Sequence, residues 1–157
     1  MAEYSNVSQQ TVNPGEAIVF TESPVPCARG LVRHRDDSGS FLLRGYVPFS
    51  YGCRCRCGNN QSANYLVDFG ANIAIPTGGT VGPITVAISI DGATVPASTM
   101  EATPTAVEQF FNVSRAINVP VYKGCCQTVT IRNTSDQPIL VESANVIFSR
   151  PDLAVTR

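Results

Sequence analysis

Apolar residues recur at every second position in short stretches along this chain, and polar or turn-forming residues fence each stretch off. The pattern is clearest in ITVAISI, where Ile84, Val86, Ile88 and Ile90 fall on one side. TVTIRN repeats it, with Val129 and Ile131 on one side and Thr128, Thr130 and Arg132 on the other. Period two marks a strand with one buried face, because successive side chains of an extended backbone point opposite ways. Strands are predicted at 16–22, 30–35, 40–47, 63–69, 71–75, 83–91, 94–102, 109–122, 126–133 and 138–149. Asp91-Gly92 reads as a two-residue hairpin turn that lays 94–102 against 83–91. No window holds a helical period, and at most a single turn follows Pro104.

Many short strands with turn signals between them predict an all-β chain, a jelly-roll β-sandwich of the type that closes two sheets over one core. Residues 16–150 are expected to form that sandwich and 151–157 a C-terminal tail. Residues 1–15 are polar apart from Val7 and Val12 and carry a Pro14-Gly15 break. They are expected to form an extended N-terminal arm, disordered alone or docked on a neighbour.

Composition narrows the function. The chain has 157 residues, 43% apolar but only 15% charged, with a net charge of -1. Such a balance gives no long-range attraction to nucleic acid or to an anionic membrane, and neither is expected as a partner. No apolar run is long enough to suggest a membrane span, and no export signal is visible, so synthesis in the cytosol is expected. Lys123 is the only lysine. Arg29, Arg33, Arg35, Arg44, Arg54 and Arg56 fall in one stretch opposed only by Asp36 and Asp37. That stretch is either a solvated face or a set of forks for ion pairs at an interface.

Enzyme chemistry finds little to build on. His34 is the only histidine, so any nucleophile would need that one residue as its base. The glycine-rich PTGGTVGP lacks a GK[ST] and a following helix to cradle a phosphate. The carboxylates form neither a local pair nor a calcium-loop spacing. No catalytic residue, cofactor or metal site is assigned, and the chain is expected not to be an enzyme.

The cysteines are the compositional anomaly. YGCRCRCGNN places Cys53, Cys55 and Cys57 at alternate positions, and Cys27, Cys125 and Cys126 make up the six. In an extended chain the first three share a face at roughly 6.5–7 Å spacing, too wide for two ligands of one tetrahedral zinc and at the limit for a disulfide. Cys125 and Cys126 would face opposite sides and take different partners. Three readings stay open: disulfides formed after release or assembly, free thiols, and metal. All six are candidate cross-linking residues, within or between chains.

The run INVPVYKGCCQTVTIRNTSDQPILVESANVIFSR resembles the last strands of the tumour-necrosis-factor and complement globular-head superfamily in layout, with Lys123-Gly124 as the turn before an alternating strand. That resemblance implies a compact jelly roll that packs as a trimer around apolar strands. FTESPVPCARG, LRG, FGANIAIPTGGTVGPITVAISIDG, TPTAVEQFFNV and KGCC together resemble a family of small all-β proteins from Firmicutes genomes and gut phages, over roughly residues 10 to 150. The CRCRC segment departs from that family's single cysteine. The resemblance implies a structural protein of a virion, a capsid decoration or head-fibre component acting as a homo-oligomer, docked on a lattice. Phe110, Phe111, Val119, Val121, Ile139, Val141, Val146 and Phe148 are its candidate subunit-interface residues, each weighed against a place in the chain's own core. The alternatives are a disulfide-cross-linked fibre subunit of a bacterial cell or spore surface, and a carbohydrate-binding jelly roll.

Overall fold

The structure, a computed structural model, describes residues 1–27, 30–47 and 61–153. Twelve strands follow in order: β1 (Ala2–Asn6), β2 (Gln10–Val12), β3 (Glu22–Val25), β4 (Val32–His34), β5 (Phe41–Arg44), β6 (Ser62–Ala74), β7 (Ile84–Ile90), β8 (Ala93–Thr94), β9 (Met100–Ala102), β10 (Phe111–Tyr122), β11 (Cys126–Asn133) and β12 (Ile139–Ser149). They form two sheets. The first runs β10-β6-β12-β1-β3 with β2 also on β12; the second runs β4-β5-β11-β7-β8 with β9 also on β7. The pairings are antiparallel. This is the jelly-roll sandwich that the alternation predicts.

The core lies where the two inner faces meet. Ile84, Val86 and Ile88 of β7 and Val129 and Ile131 of β11 are fully buried, as their alternation requires. Phe41 stands at the centre of an aromatic group, with ring centroids 4.9 Å from Tyr4, 5.3 Å from Phe20 and 4.8 Å from Phe148. The Asp91-Gly92 turn is present, with φ of 50° and 85°. Positive φ at both positions matches the right-handed twist of the paired strands, and glycine takes the second without strain.

Three stretches differ from the sequence prediction, each for a local reason. Residues 63–69 and 71–75, expected as two strands, are one: β6 runs through Gly70, which pairs with Ser114 on one side and Asn145 on the other. The expected strand 94–102 is broken into β8, a 3-10 turn at Pro96–Ser98 and β9. Pro96 has no N–H to give a ladder, and the buried Ser98 hydroxyl takes over, accepting the Ile88 N–H at 2.8 Å and donating to the Val95 carbonyl at 2.7 Å. Residues 16–22 bury Ile18 and Phe20, but where a strand was predicted they pair only through single bridges, Ala17 to Arg132 and Phe20 to Ser38. The side-chain amide of Gln10 supplies the missing partner, bonding both the N–H and the carbonyl of Val19 at 2.9 Å.

The first 15 residues are extended, and they run within the first sheet rather than beyond it. β1 lies between β12 and β3, with Ala2 opposite Phe148 and Tyr4 opposite Val146. Tyr4 and Ala2 point into the core, which is why a segment of mostly polar composition is held in place. Gly15 donates to the Asn133 carbonyl at 2.8 Å, so the Pro14-Gly15 break is a turn on the sandwich surface.

β12 carries a bulge that decides which of its residues face inward. Glu142 pairs with Asn72 and Asn145 with Gly70, so one strand spends three residues where the other spends two. Ser143 absorbs the extra residue with φ of 51°. Ile139 and Val141 before it, and Ala144, Val146 and Phe148 after it, are all buried although the parity has switched.

Candidate interaction surfaces

Among the described residues no group of three or more His, Cys, Asp and Glu could hold a metal ion. His34 is engaged structurally: its ring stacks on Phe41 at 4.7 Å and 19°, and Nε2 lies 2.9 Å from the Ser38 carbonyl. A ring fixed on both its face and its edge serves packing.

The predicted interface residues divide sharply. Val119, Val121, Ile139, Val141 and Val146 have no exposed surface and Phe148 has 1%. All six are core residues of this chain and cannot touch a neighbour; the same apolar alternation that nominated them is what buries them. Phe110 is half-buried and Phe111 is 39% exposed. Of the set, these two alone retain surface for a partner. Alternation identifies the inward positions of a strand, so it selects against the residues that meet another subunit.

Of the cysteines, Cys53, Cys55 and Cys57 lie outside the described residues. Cys27 and Cys125 pack against the core at one end of the sandwich, and the Cys27 sulfur accepts the Val32 N–H at 3.4 Å. Cys126 is free and exposed, opposite Arg44 in the ladder.

That same end carries a buried cation. Arg150 is only 8% exposed. Its guanidinium bonds Asp152 through two nitrogens at 2.8 and 2.6 Å, donates to the Tyr46 carbonyl at 3.0 Å, and lies 4.9 Å from the centroid of the Tyr65 ring. The Tyr65 hydroxyl donates to the Arg44 carbonyl at 2.6 Å. The bond from Arg150 holds the Asp152 carboxyl below its ordinary range, and burial raises the Tyr65 phenol. All three guanidinium nitrogens bond within the chain, so the knot closes the end of the sandwich; sequence reasoning put Tyr46 and Tyr65 in strands, Arg150 at the end of the sandwich and Asp152 in the tail, and missed that they meet.

Two surfaces remain available. The first is the edge strand β10, which pairs only with β6 among the described residues. It is 12 residues long and alternates Asn112, Ser114, Ala116, Asn118, Pro120 and Tyr122 on its outward side, all exposed. Its one charged residue, Arg115, donates to the Thr99 carbonyl at 3.3 Å. Exposed aromatic rings mark both ends, Phe111 at 39% and Tyr122 at 53%.

The second surface is the outer side of the second sheet. Register puts Arg33 beside Leu42, Arg44 beside Cys126, and Arg132 beside Ala87 on this side. Arg33, Arg35, Ser40, Leu42 and Thr128, with His34 below them, line a shallow groove.

The sequence matches no protein-family model and no curated protein. Solved structures do match in shape. The globular domain of zebrafish complement 1qA protein aligns with 93% of this chain and 94% of its own, at a TM-score of 0.58 and 10% identity. Eiger TNF from S. frugiperda aligns with 95% of this chain and 90% of its own, at a TM-score of 0.62 and 10% identity. The chain has the jelly-roll sandwich seen in these complement-head and tumour-necrosis-factor structures.

Proposed function

We propose that this chain is a non-enzymatic structural protein of a virion, a capsid decoration or head-fibre component that works as a homo-oligomer, a trimer in the first instance. The observation that carries the self-association is β10. A long edge strand presents unpaired backbone groups to any other chain, and proteins that stay apart blunt such edges with charge, brevity or cover. β10 has length, near-neutral side chains and an exposed aromatic ring at either end. Pro120 and the single charge of Arg115 are its blunting features. A second copy that covers this edge would bury Phe111 and Tyr122 together with the strand. The virion assignment rests on the likeness of FTESPVPCARG, the 69–92 run, TPTAVEQFFNV and KGCC to small proteins of Firmicutes and gut-phage genomes.

A fibre of a cell or spore surface is the second reading, favoured by one observation: Cys126 is free and exposed, so it can bond a second chain without disturbing the core.

Mass in solution, read beside denaturing gels run with and without reductant, tests both. A discrete trimer that falls to monomer in detergent regardless of reductant supports the decoration protein. A covalent ladder that collapses only with reductant, and that disappears in Cys126→Ser, supports the fibre. A monomer at all concentrations removes both.

A further inference from the structure

The net charge of -1 conceals a separation of charge across the sandwich. On the outer side of the first sheet, register places Glu3 beside Ile147, Ile147 beside Asp68, and Glu142 beside Asn72. Glu22, which accepts from Ser5 at 3.4 Å, extends the set on β3. Four carboxylates share this face, and register places no Arg, Lys or His on it among the described residues. Asp68 is exposed although it sits on β6, between β10 and β12. The half-buried Leu66 and Ile147 and the exposed Ala116 surround it.

The opposite outer side is arginine-rich. Arg33, Arg44 and Arg132 occupy it by register, and Arg35 joins Arg33 at the groove. Its carboxylates are peripheral: Glu101 on β9 at the rim, Asp36 and Asp37 in the turn after β4, and Asp91 in the turn after β7, where it accepts the Thr128 N–H at 2.7 Å. The one ion pair among the described residues is Arg150 with Asp152, at the end of the sandwich, so the arginines of this face have no carboxylate partner among the described residues.

We propose that the arginine face of one copy docks on the carboxylate face of a second copy, so that sandwiches stack face to back. Complementary charge on opposite faces of one molecule selects this partner, because the donor and acceptor surfaces cannot both be met within one copy. Arginine forks suit the purpose: they pair carboxylates in a fixed plane and are more weakly hydrated than lysine. The contact is heterologous, with different surfaces meeting, so each copy that binds leaves one face of each kind free and the stack stays open unless a rotation closes it into a ring. It goes beyond the β10 reading, since it uses the two sheet faces and leaves Phe111 and Tyr122 at the edge; β10 would make the unit, and the faces would build units into a lattice.

Sedimentation velocity of the full chain between 50 and 500 mM NaCl tests it, alongside Asp68→Arg, Arg33→Glu and Phe111→Ser/Tyr122→Ser, each checked for an unchanged thermal transition. The expected result is a large assembly at low salt that weakens about tenfold at high salt and in either charge reversal. It returns when Asp68→Arg and Arg33→Glu are mixed, because every interface then joins opposite charges again. The edge variant should shrink the unit and leave the salt dependence in place. An assembly with the same mass at all salts, unmoved by either reversal, overturns the stacking while leaving self-association through β10 standing. A wild-type chain that is monomeric throughout overturns both.

Discussion

The guanidinium of Arg150 lies 4.9 Å from the centroid of the Tyr65 ring while it holds Asp152 through two bonds. An arginine this buried is tolerated because its donors are matched: a carboxylate, the Tyr46 carbonyl and an aromatic face. Removing it strands Asp152 and opens the packing over Tyr65. Arg150→Ala should lower unfolding stability by about 2–4 kcal/mol, and Arg150→Lys should recover only part, since an ammonium cannot reach both carboxylate oxygens in one plane. Urea unfolding of the two variants against the parent measures it.

The same group gives the chain an acid limb and an alkaline limb. Asp152 titrates below its ordinary value in the fold, so its contribution is complete above the unfolded value of about 3.9 and is lost as pH falls through the lowered one. Asp152→Asn should flatten stability between about pH 5 and pH 2. Burial raises the phenols of Tyr65 and Tyr4, so their contribution is complete below about pH 10 and is lost as pH rises further. Absorbance titration of tyrosine should show these two ionising with unfolding rather than before it, and Tyr65→Phe should remove part of the alkaline loss.

Ser98 substitutes for a strand. Its hydroxyl accepts the N–H of Ile88, itself completely buried. Ser98→Ala leaves that donor without a partner in the core and should cost about 1–3 kcal/mol. Ser98→Thr keeps the hydroxyl and should cost less only if the added methyl fits. Thermal unfolding by circular dichroism separates the three.

The β12 bulge makes opposite predictions for two edits of its strand. Ser143→Gly relieves a positive φ of 51° and should stabilise by about 0.5–1 kcal/mol. Inserting one residue between Asn145 and Val146 instead moves Val146 and Phe148 to the solvent side and should prevent folding. Expression in soluble form with a cooperative thermal transition, present for the first and absent for the second, is the readout.

Gly45 is held by close approach rather than by turn geometry. A Cβ there would stand 2.0 Å from the Tyr122 carbonyl oxygen. Gly45→Ala should therefore cost roughly 3 kcal/mol or more, since backbone has to move, and proteolysis at residues 44–46 should rise with it.

The sheet strands were legible because burial writes itself into period two, as in Ile84, Val86 and Ile88. Breaks in that rhythm were legible only in part. ILVESANVIFS shows apolar residues changing parity between Val141 and Val146, and a bulge is the physical cause of such a change; the signal was there but was read as one even strand. Gln10 and Asn6 hid the edge of the first sheet, because polar side chains that bond backbone look like solvent-facing ones in a sequence. The charge-separated faces needed the topology: Asp68 and Glu142 lie far apart along the chain, and only the neighbouring of β6 and β12 puts them on one surface. Six of the eight interface candidates are core residues for a related reason. Apolar pattern reports what faces inward, and a neutral edge such as β10 has no pattern of its own.

The position of β1 bears on how the molecule is made. Glu3 of β1 is joined to Asn145 of β12 across a separation of 142 residues. A ribosome delivers the first strand long before the strand that it must pair with, so the first sheet stays open while the rest of the chain is synthesised. Closing so distant a pair is slow because the intervening chain must be ordered before the contact rewards it. For that interval Ala2 and Tyr4 have no completed core to enter, and the β1–β3 pair lacks the strand that joins it to the rest of the sheet. The chain thus passes through a stage in which its own first sheet is an unclosed edge, and crowding at that stage is where wrong partners would be taken.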